Sequence, residues 1–319
     1  MRAEGQNSLP TVVCMGSLNM DMCVEVAEAP LAGETVLAQT LRYSPGGKGA
    51  NQAVACARQG AHVRMVGSVG PDAHGAVLIE SLQADGIDTL AVDTNPVQPT
   101  GIAMVLVEST GQNRIVVAGG ANQAFQWDAV TLAPVLKDAF ALVLQLESPV
   151  SEVVKAAQSA RTSGCRVVLN PSPVPDAIPG ALWPLVDLLV LNETEALALC
   201  GLDVSASRDN ALQAVRHFQQ WGIARIVLTL GSSGAISADG EMLIYHPAAR
   251  VDVVDTTAAG DTFLGALVAA WAADLPFEQC VHRGMAAASL CVQIAGAQTS
   301  IPTRAQTEAN VSVPDWQKI

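Results

Sequence analysis

Short apolar runs alternate with helix-period stretches along most of this chain, and that alternation leaves few folds open. Residues 12–15, 63–69, 141–146, 166–169, 188–191 and 226–230 are rich in Val, Leu and Ile and lack polar alternation, as strands buried on both faces do. Helical patterns follow them at residues 51–59, 74–85, 151–163, 193–200, 209–221 and 260–273. Strand-then-helix repetition predicts an α/β chain with a doubly wound, mostly parallel sheet flanked by helices.

Two segments break the rhythm. Residues 23–43 and 100–120 read as strands without helices, and the second is a hairpin around Ser109-Thr110-Gly111-Gln112-Asn113. This material forms either a small separate sheet or extra antiparallel edge strands.

Composition narrows the function. Half the residues are hydrophobic and 15% are charged, enough apolar material for a large core. The net charge of −13 carries no basic footprint for a nucleic-acid partner. No apolar run is long enough for a membrane span. Seven cysteines show no C-x-x-C or metal spacing; they read as reduced thiols of a cytoplasmic protein. The five histidines do not cluster in sequence, and no G-x-S-x-G elbow occurs, so hydrolase readings have little support.

Polar residues collect where strands end. Asn19 and Asp21, two apart after the first strand, face one side of an extended chain and suit sugar hydroxyls; they are also ordinary turn formers. Gly46-Gly47-Lys48-Gly49-Ala50-Asn51 precedes a helix, with Lys48 one of four lysines. Its glycines permit close approach of backbone to a ligand, yet it matches neither a Walker A loop nor a dinucleotide fingerprint. Asp255-Thr256-Thr257-Ala258-Ala259-Gly260-Asp261-Thr262-Phe263 places small residues and Gly260 at a helix start, an anion hole for a phosphoryl group in transfer. Asp261 is then either a first-turn acid favoured by the helix dipole or a general base for an attacking hydroxyl. Asn192 and Glu195 suit either a capping box or the water shell of Mg²⁺. The turn from Thr229 through Gly231, Ser232 and Gly234 suits nucleotide phosphates or is a plain β-turn. Glu147 adds an acid at another strand end.

Together these motifs resemble the ribokinase family of carbohydrate kinases, the phosphofructokinase-B-like group, from about residue 12 to residue 300. The Gly46–Ala53 and Asp255–Phe263 stretches carry the likeness most specifically. Gln145-Leu146-Glu147-Ser148-Pro149, Asn170-Pro171-Ser172-Pro173 and Gly296-Ala297-Gln298-Thr299-Ser300 fall where that family has such residues. Leu264 stands where many members carry Asn.

The resemblance implies ATP-dependent phosphorylation of D-ribose at its 5-hydroxyl, with deoxyribose, fructose or a pseudouridine-like substrate as the rivals and a non-catalytic sensor as the outsider. It implies that Asn19, Asp21, Gly47, Lys48, Asn51 and Glu147 bind sugar, that Asp261 is the base, and that Ala258, Ala259 and Gly260 form the anion hole. Asn192, Thr229, Gly231, Ser232, Gly234, Gly260 and Met285 would contact ATP, with Glu195 near Mg²⁺ waters. Asp255, Thr257, Cys291, Ile294, Gly296 and Ser300 would surround an activating K⁺, unless Asp255 merely caps its turn. The implied organisation is a flexible tail over residues 1–10, a kinase domain over 11–305 with a β lid at about 22–45 and 100–122, and a tail over 306–319. The partners would be sugar and ATP, without nucleic acid or membrane, in a homodimer paired through the lid.

Overall fold

The computed structural model describes residues 9–110, 112–310 and 317–318. In chain order the strands and helices are β1 (Thr11–Met15), β2 (Asn19–Val26), β3 (Thr40–Gly46), α1 (Lys48–Arg58), β4 (His62–Val69), α2 (Ala73–Ala84), β5 (Asp88–Thr94), β6 (Gly101–Glu108), β7 (Asn113–Ala118), α3 (Ala121–Ala124), α4 (Ala129–Leu136), β8 (Ala141–Leu144), α5 (Val150–Thr162), β9 (Arg166–Leu169), β10 (Leu188–Leu191), α6 (Glu193–Cys200), α7 (Arg208–Gln219), β11 (Arg225–Thr229), β12 (Ala235–Asp239), β13 (Met242–His246), α8 (Ala259–Ala272), α9 (Phe277–Cys291), α10 (Arg304–Asn310) and β14 (Gln317–Lys318).

The main sheet has the order β14-β13-β12-β11-β10-β9-β8-β1-β4-β5. From β11 to β5 every neighbouring pair is parallel, and β12, β13 and β14 add antiparallel strands at one edge. Alternate residues of β1 feed the two faces: Val12 and Cys14 join the core beneath α1 and α8, while Val13 and Met15 join the core beneath α5 and α7. The strands β4 and β8 flank β1 on opposite sides, so the strand order, not the strand direction, reverses between β1 and β8. In open α/β sheets a crevice forms outside the carboxyl ends at such a point.

The irregular segments form a separate four-stranded sheet, β3-β2-β6-β7, with β2 and β6 parallel and the outer pairs antiparallel. The edge-strand alternative is therefore excluded. Strand was expected throughout 23–43, but residues 27–39 are irregular, interrupted by Pro30 and by Gly33 at φ 85°. The hairpin between β6 and β7 forms as expected; Gly111 itself lies outside the described residues.

Helix α1 starts at Lys48, three residues earlier than its apolar period suggested, because Gly47 at φ 91° turns the chain directly into it. The strands β5, β12 and β13 and the helix α9 were missed. The expected tail from residue 306 is helical as far as Asn310: Gln59 Nε2 donates to Thr307 Oγ1 at 2.8 Å and to the Pro302 carbonyl at 3.0 Å. Pro10 is likewise tied, accepting from the His62 N–H at 2.9 Å, while residues 1–8 lie outside the described residues. Among the described residues no helix is long and apolar enough to cross a membrane.

Helices α1 and α8 approach at backbone contact. A Cβ on Gly265 would fall 2.3 Å from Ala55 Cβ and 2.8 Å from the Cys56 nitrogen. A Cβ on Gly49 would fall 2.5 Å from the Gly16 carbonyl carbon. Gly265→Ala is therefore expected to lower stability by about 1–3 kcal/mol through overpacking, read as a shifted urea midpoint at unchanged slope. An unshifted midpoint contradicts the close crossing.

Candidate active site

The loop after β1 runs Gly16-Ser17-Leu18 before β2 begins, which places Asn19 and Asp21 on one strand face above the carboxyl ends of β1 and β8. Ser17 Oγ donates to the Glu147 carboxylate, which also accepts from the Lys48 N–H at 3.2 Å. Glu147 follows β8 and Lys48 opens α1. Residues from three separate elements thus close on the switch point.

Asp261 lies in the first turn of α8 and is buried. Its Oδ2 accepts from Asn51 Nδ2 at 3.1 Å and its Oδ1 from Gln52 Nε2 at 2.9 Å. Gln52 is itself held: Gln145 Nε2 donates to its Oε1 at 2.6 Å, and its Nε2 also reaches Asn170 Oδ1 at 3.3 Å. Both oxygens of Asp261 are oriented by amides, with lone pairs left for an incoming proton. The buried Asn51 Oδ1 has no partner among the described residues, an acceptor placed beside that carboxylate.

The turn before α8 is strained. Ala258 sits at φ 59°, a left-handed conformation costing a non-glycine residue roughly 1–2 kcal/mol. One expectation needs correction: the Ala259 N–H already donates to the Thr256 carbonyl at 3.2 Å. Among the described residues it is the N–H groups of Ala258, Gly260 and Asp261 that lack an acceptor. A Cβ on Gly260 would meet nothing within 4 Å, so this helix start is open to an anion.

Electrostatics follow from the crowding of acids. Burial, with Glu147 and Asp261 nearby, pushes the Asp21 carboxyl up to about 7 although Lys48 opposes this. Burial alone would pull the Lys48 ammonium down, but Asp261, Glu147, Glu195 and Asp21 hold it above its ordinary value. Four carboxyl groups share one cation. Oxygen-rich acids of this kind suit the water shell of a hard cation such as Mg²⁺, which would offset part of the charge of a bound phosphate.

Glu195 makes the capping box that was the alternative reading. Its N–H donates to Asn192 Oδ1 at 2.9 Å, while its carboxylate accepts from the Asn192 N–H at 2.9 Å and from Asn170 Nδ2 at 3.2 Å. Asn192 ends up beside β11, whose terminal Thr229 donates through Oγ1 to the Leu191 carbonyl at 3.3 Å. The following turn carries Gly231 at φ 49°, Ser232, and Gly234 at φ 101°. A Cβ on Gly234 would strike the His246 carbonyl at 2.0 Å. Contrary to the reading of scattered histidines, His246 Nδ1 lies 3.0 Å from His282 Nε2. This couples β13 to α9, the helix that carries Met285.

Behind the Ala258 turn, Asp255 Oδ2 accepts from the Gly296 N–H at 2.8 Å, and its Oδ1 accepts from the Thr257 N–H at 2.9 Å and Oγ1 at 2.6 Å. Burial would raise this carboxyl, but the bonds from Thr257 and Gly296 outweigh it and hold the group below the usual carboxylate range. Cys291 Sγ contacts Ser300 Oγ at 3.0 Å and the Thr257 carbonyl at 3.7 Å; Ile294 caps the same bend, its N–H donating to the Cys291 carbonyl at 3.1 Å. The six residues expected around a monovalent cation are thus one contiguous cluster, and Asp255 also caps its turn. The apolar run before it, residues 251–254, is irregular rather than strand.

Gln52, Gln145, Asn170 and Asn122 received no role from the sequence. Each is an uncharged amide, a residue type whose function shows only when its partners across the fold are known.

The family model for pfkB family carbohydrate kinases matches residues 9–304. The ribokinase of Haemophilus influenzae is 38% identical over 299 residues, spanning 93% of this chain and 97% of that one. A deoxyribokinase of Salmonella typhi is 31% identical over 303 residues, spanning 95% of this chain and 99% of that one. The structure of Arabidopsis thaliana ribokinase complexed with ribose and ATP matches with a TM-score of 0.89 at 35% identity, over 96% of this chain and 99% of that one. A matched family model over nine-tenths of the chain, and a buried acid at an open helix start, converge on phosphoryl transfer to a sugar: the chain belongs to the pfkB family of carbohydrate kinases.

Proposed function

We propose that this chain transfers the γ-phosphoryl group of ATP to the 5-hydroxyl of D-ribose. The observation that carries the reading is Asp261, fixed by Asn51 and Gln52 at the open start of α8, amid Asn19, Asp21, Lys48 and Glu147. The ribose and ATP of the matching plant structure support the substrate pair.

Sugar is held by Asn19, Asp21, Gly47, Lys48, Asn51 and Glu147, which offer donors and acceptors to a small polyol. Asp261 accepts the proton of the attacking hydroxyl, a step worth ~10²–10⁴-fold. Charge gathering on the transferred phosphoryl oxygens meets the free N–H groups around Gly260 and the α8 dipole. Most of the acceleration comes from positioning and charge stabilisation. ATP lies along Asn192, the Thr229–Gly234 turn with Gly231 and Ser232, and Met285. Mg²⁺ would supply charge neutralisation on the phosphates, with Glu195, most of whose acceptor sites are taken by Asn192 and Asn170, near its water shell. The lid of β2, β3, β6 and β7 excludes water, the competing acceptor.

Leu41, Tyr43, Ile115 and Val117 are apolar and at least half exposed on this lid, which supports its pairing with a second copy in a homodimer. Seven free cysteines support a cytoplasmic setting.

Across a sugar panel with Mg-ATP, release of ADP is expected to be fastest with D-ribose, ahead of deoxyribose, fructose and nucleosides. Faster turnover of any of these overturns the substrate assignment.

K⁺ is the proposed activator, held by Asp255, Thr257, Cys291, Ile294, Gly296 and Ser300 largely through neutral oxygens, bracing the Ala258 turn from behind. Added KCl at constant ionic strength is expected to raise wild-type activity several-fold and to leave Asp255→Ala unaffected. A flat wild-type response removes the cation from the account.

A further inference from the structure

Asn122 lies on the short helix α3, directly after the lid strand β7, and is buried at 2% exposure. Its Oδ1 accepts from the Leu18 N–H at 3.0 Å. Its Nδ2 donates to the Leu18 carbonyl at 3.0 Å and to Asn19 Oδ1 at 2.8 Å. A backbone N–H can only donate and a carbonyl can only accept. Leu18 therefore fixes which end of the Asn122 amide is oxygen. One Nδ2 proton is spent on Leu18, and the other must find an acceptor. The Asn19 atom facing Asn122 is consequently its oxygen.

That assignment settles the other half of Asn19. Its Nδ2 is left on the strand face shared with Asp21, and among the described residues no acceptor takes its protons. Asn19 as a residue is 3% exposed, so its N–H₂ opens only onto the pocket, and a bound ligand that covers it without offering an acceptor leaves it unpaired at a cost. The arrangement needs clearance: a Cβ on Gly101 would lie 2.3 Å from both Asn122 Nδ2 and Asn19 Oδ1. The next residue of α3 reaches the pocket from the other side, Gln123 Nε2 donating to the Glu147 carbonyl at 2.8 Å.

We propose that Asn122 is a positioning residue that sets substrate specificity, by locking Asn19 as a hydrogen-bond donor to the sugar. The inference rests on the reading that Asn19 contacts the sugar. It adds that the sugar must present an oxygen able to accept at this point, next to the hydroxyl protons taken by Asp21. A sugar lacking that oxygen leaves the buried Asn19 amide unpaired and is discriminated against.

The test is a double-mutant cycle of Asn19→Ala and Asn122→Ala, with KM for ribose, KM for ATP and kcat measured for each form. Each single change is expected to raise the ribose KM about tenfold, with the ATP KM within twofold. The double variant is expected to be no worse than Asn19→Ala alone, because Asn122 acts through Asn19. Gly101→Ala, which alters neither amide, is expected to give the same rise in ribose KM by wedging the bond apart. Independent effects that multiply in the double variant, or an unchanged ribose KM in both Asn122→Ala and Gly101→Ala, overturn the role of Asn122. An unchanged ribose KM in Asn19→Ala overturns instead the reading beneath it. If Asn122→Ala does not fold, Gly101→Ala decides alone.

Discussion

The backbone contact between α1 and α8 is the constraint on which the rest of the site depends. Asn51 and Gln52 belong to α1 and Asp261 to α8, some 210 positions apart in sequence. Short amide side chains span that gap only because Gly265 and the alanines of α1 let the helices meet without intervening side chains. Gly49 against Gly16 does the same between α1 and the end of β1. Small residues, which contribute little burial of their own, thereby set the distance between Asp261 and the amides that orient it. The abundance of alanine in α1 and α8 has this geometric purpose as well as a helical one.

Charge is arranged with equal economy. The site buries more carboxylates than cations, so Asp21 is pushed to about 7 and Lys48 is held protonated by its acidic neighbours. Such a cluster is unfavourable as four free carboxylates, and it is eased by the shared Lys48 ammonium and by the raised proton affinity of Asp21. The strained Ala258 has the same logic. Its left-handed turn ends the approach to α8 abruptly and leaves N–H groups unspent, and the bonded Asp255 cluster behind it holds that turn in place.

The parallel strands and the helices behind them could be read from periodicity, because a doubly covered sheet needs continuous apolar runs. The antiparallel edge could not: in β12 and β13 the apolar residues are mixed with Ser237, Asp239 and His246. Helix α9 was hidden for another reason, since Glu278, Gln279, His282 and Arg283 dilute its apolar stripe. At the site, residues on unusual local motifs were visible: Lys48 between glycines, Asp261 after a run of small residues. Amides that act across the sheet, such as Gln145 and Asn122, show their hydrogen-bond roles only with their partners, even where, as at Gln145, they stand in a recognisable motif. Asn192 and Glu195 illustrate the overlap of readings, since the capping box of α6 forms in these two residues while Asn192 also sits next to Leu191, whose carbonyl accepts from Thr229 at the start of the following turn.

The account turns on Asp261 as the proton acceptor, and the most direct measurement is single-turnover phosphoryl transfer by Asp261→Ala alongside its ribose affinity by calorimetry. Alanine removes the carboxylate without setting a new amide N–H against the Asn51 and Gln52 donors. The account predicts ribose binding within a few-fold of wild type and a loss of about 10²–10⁴ in the rate of transfer. A variant that binds ribose and retains more than about a tenth of the wild-type rate would contradict it.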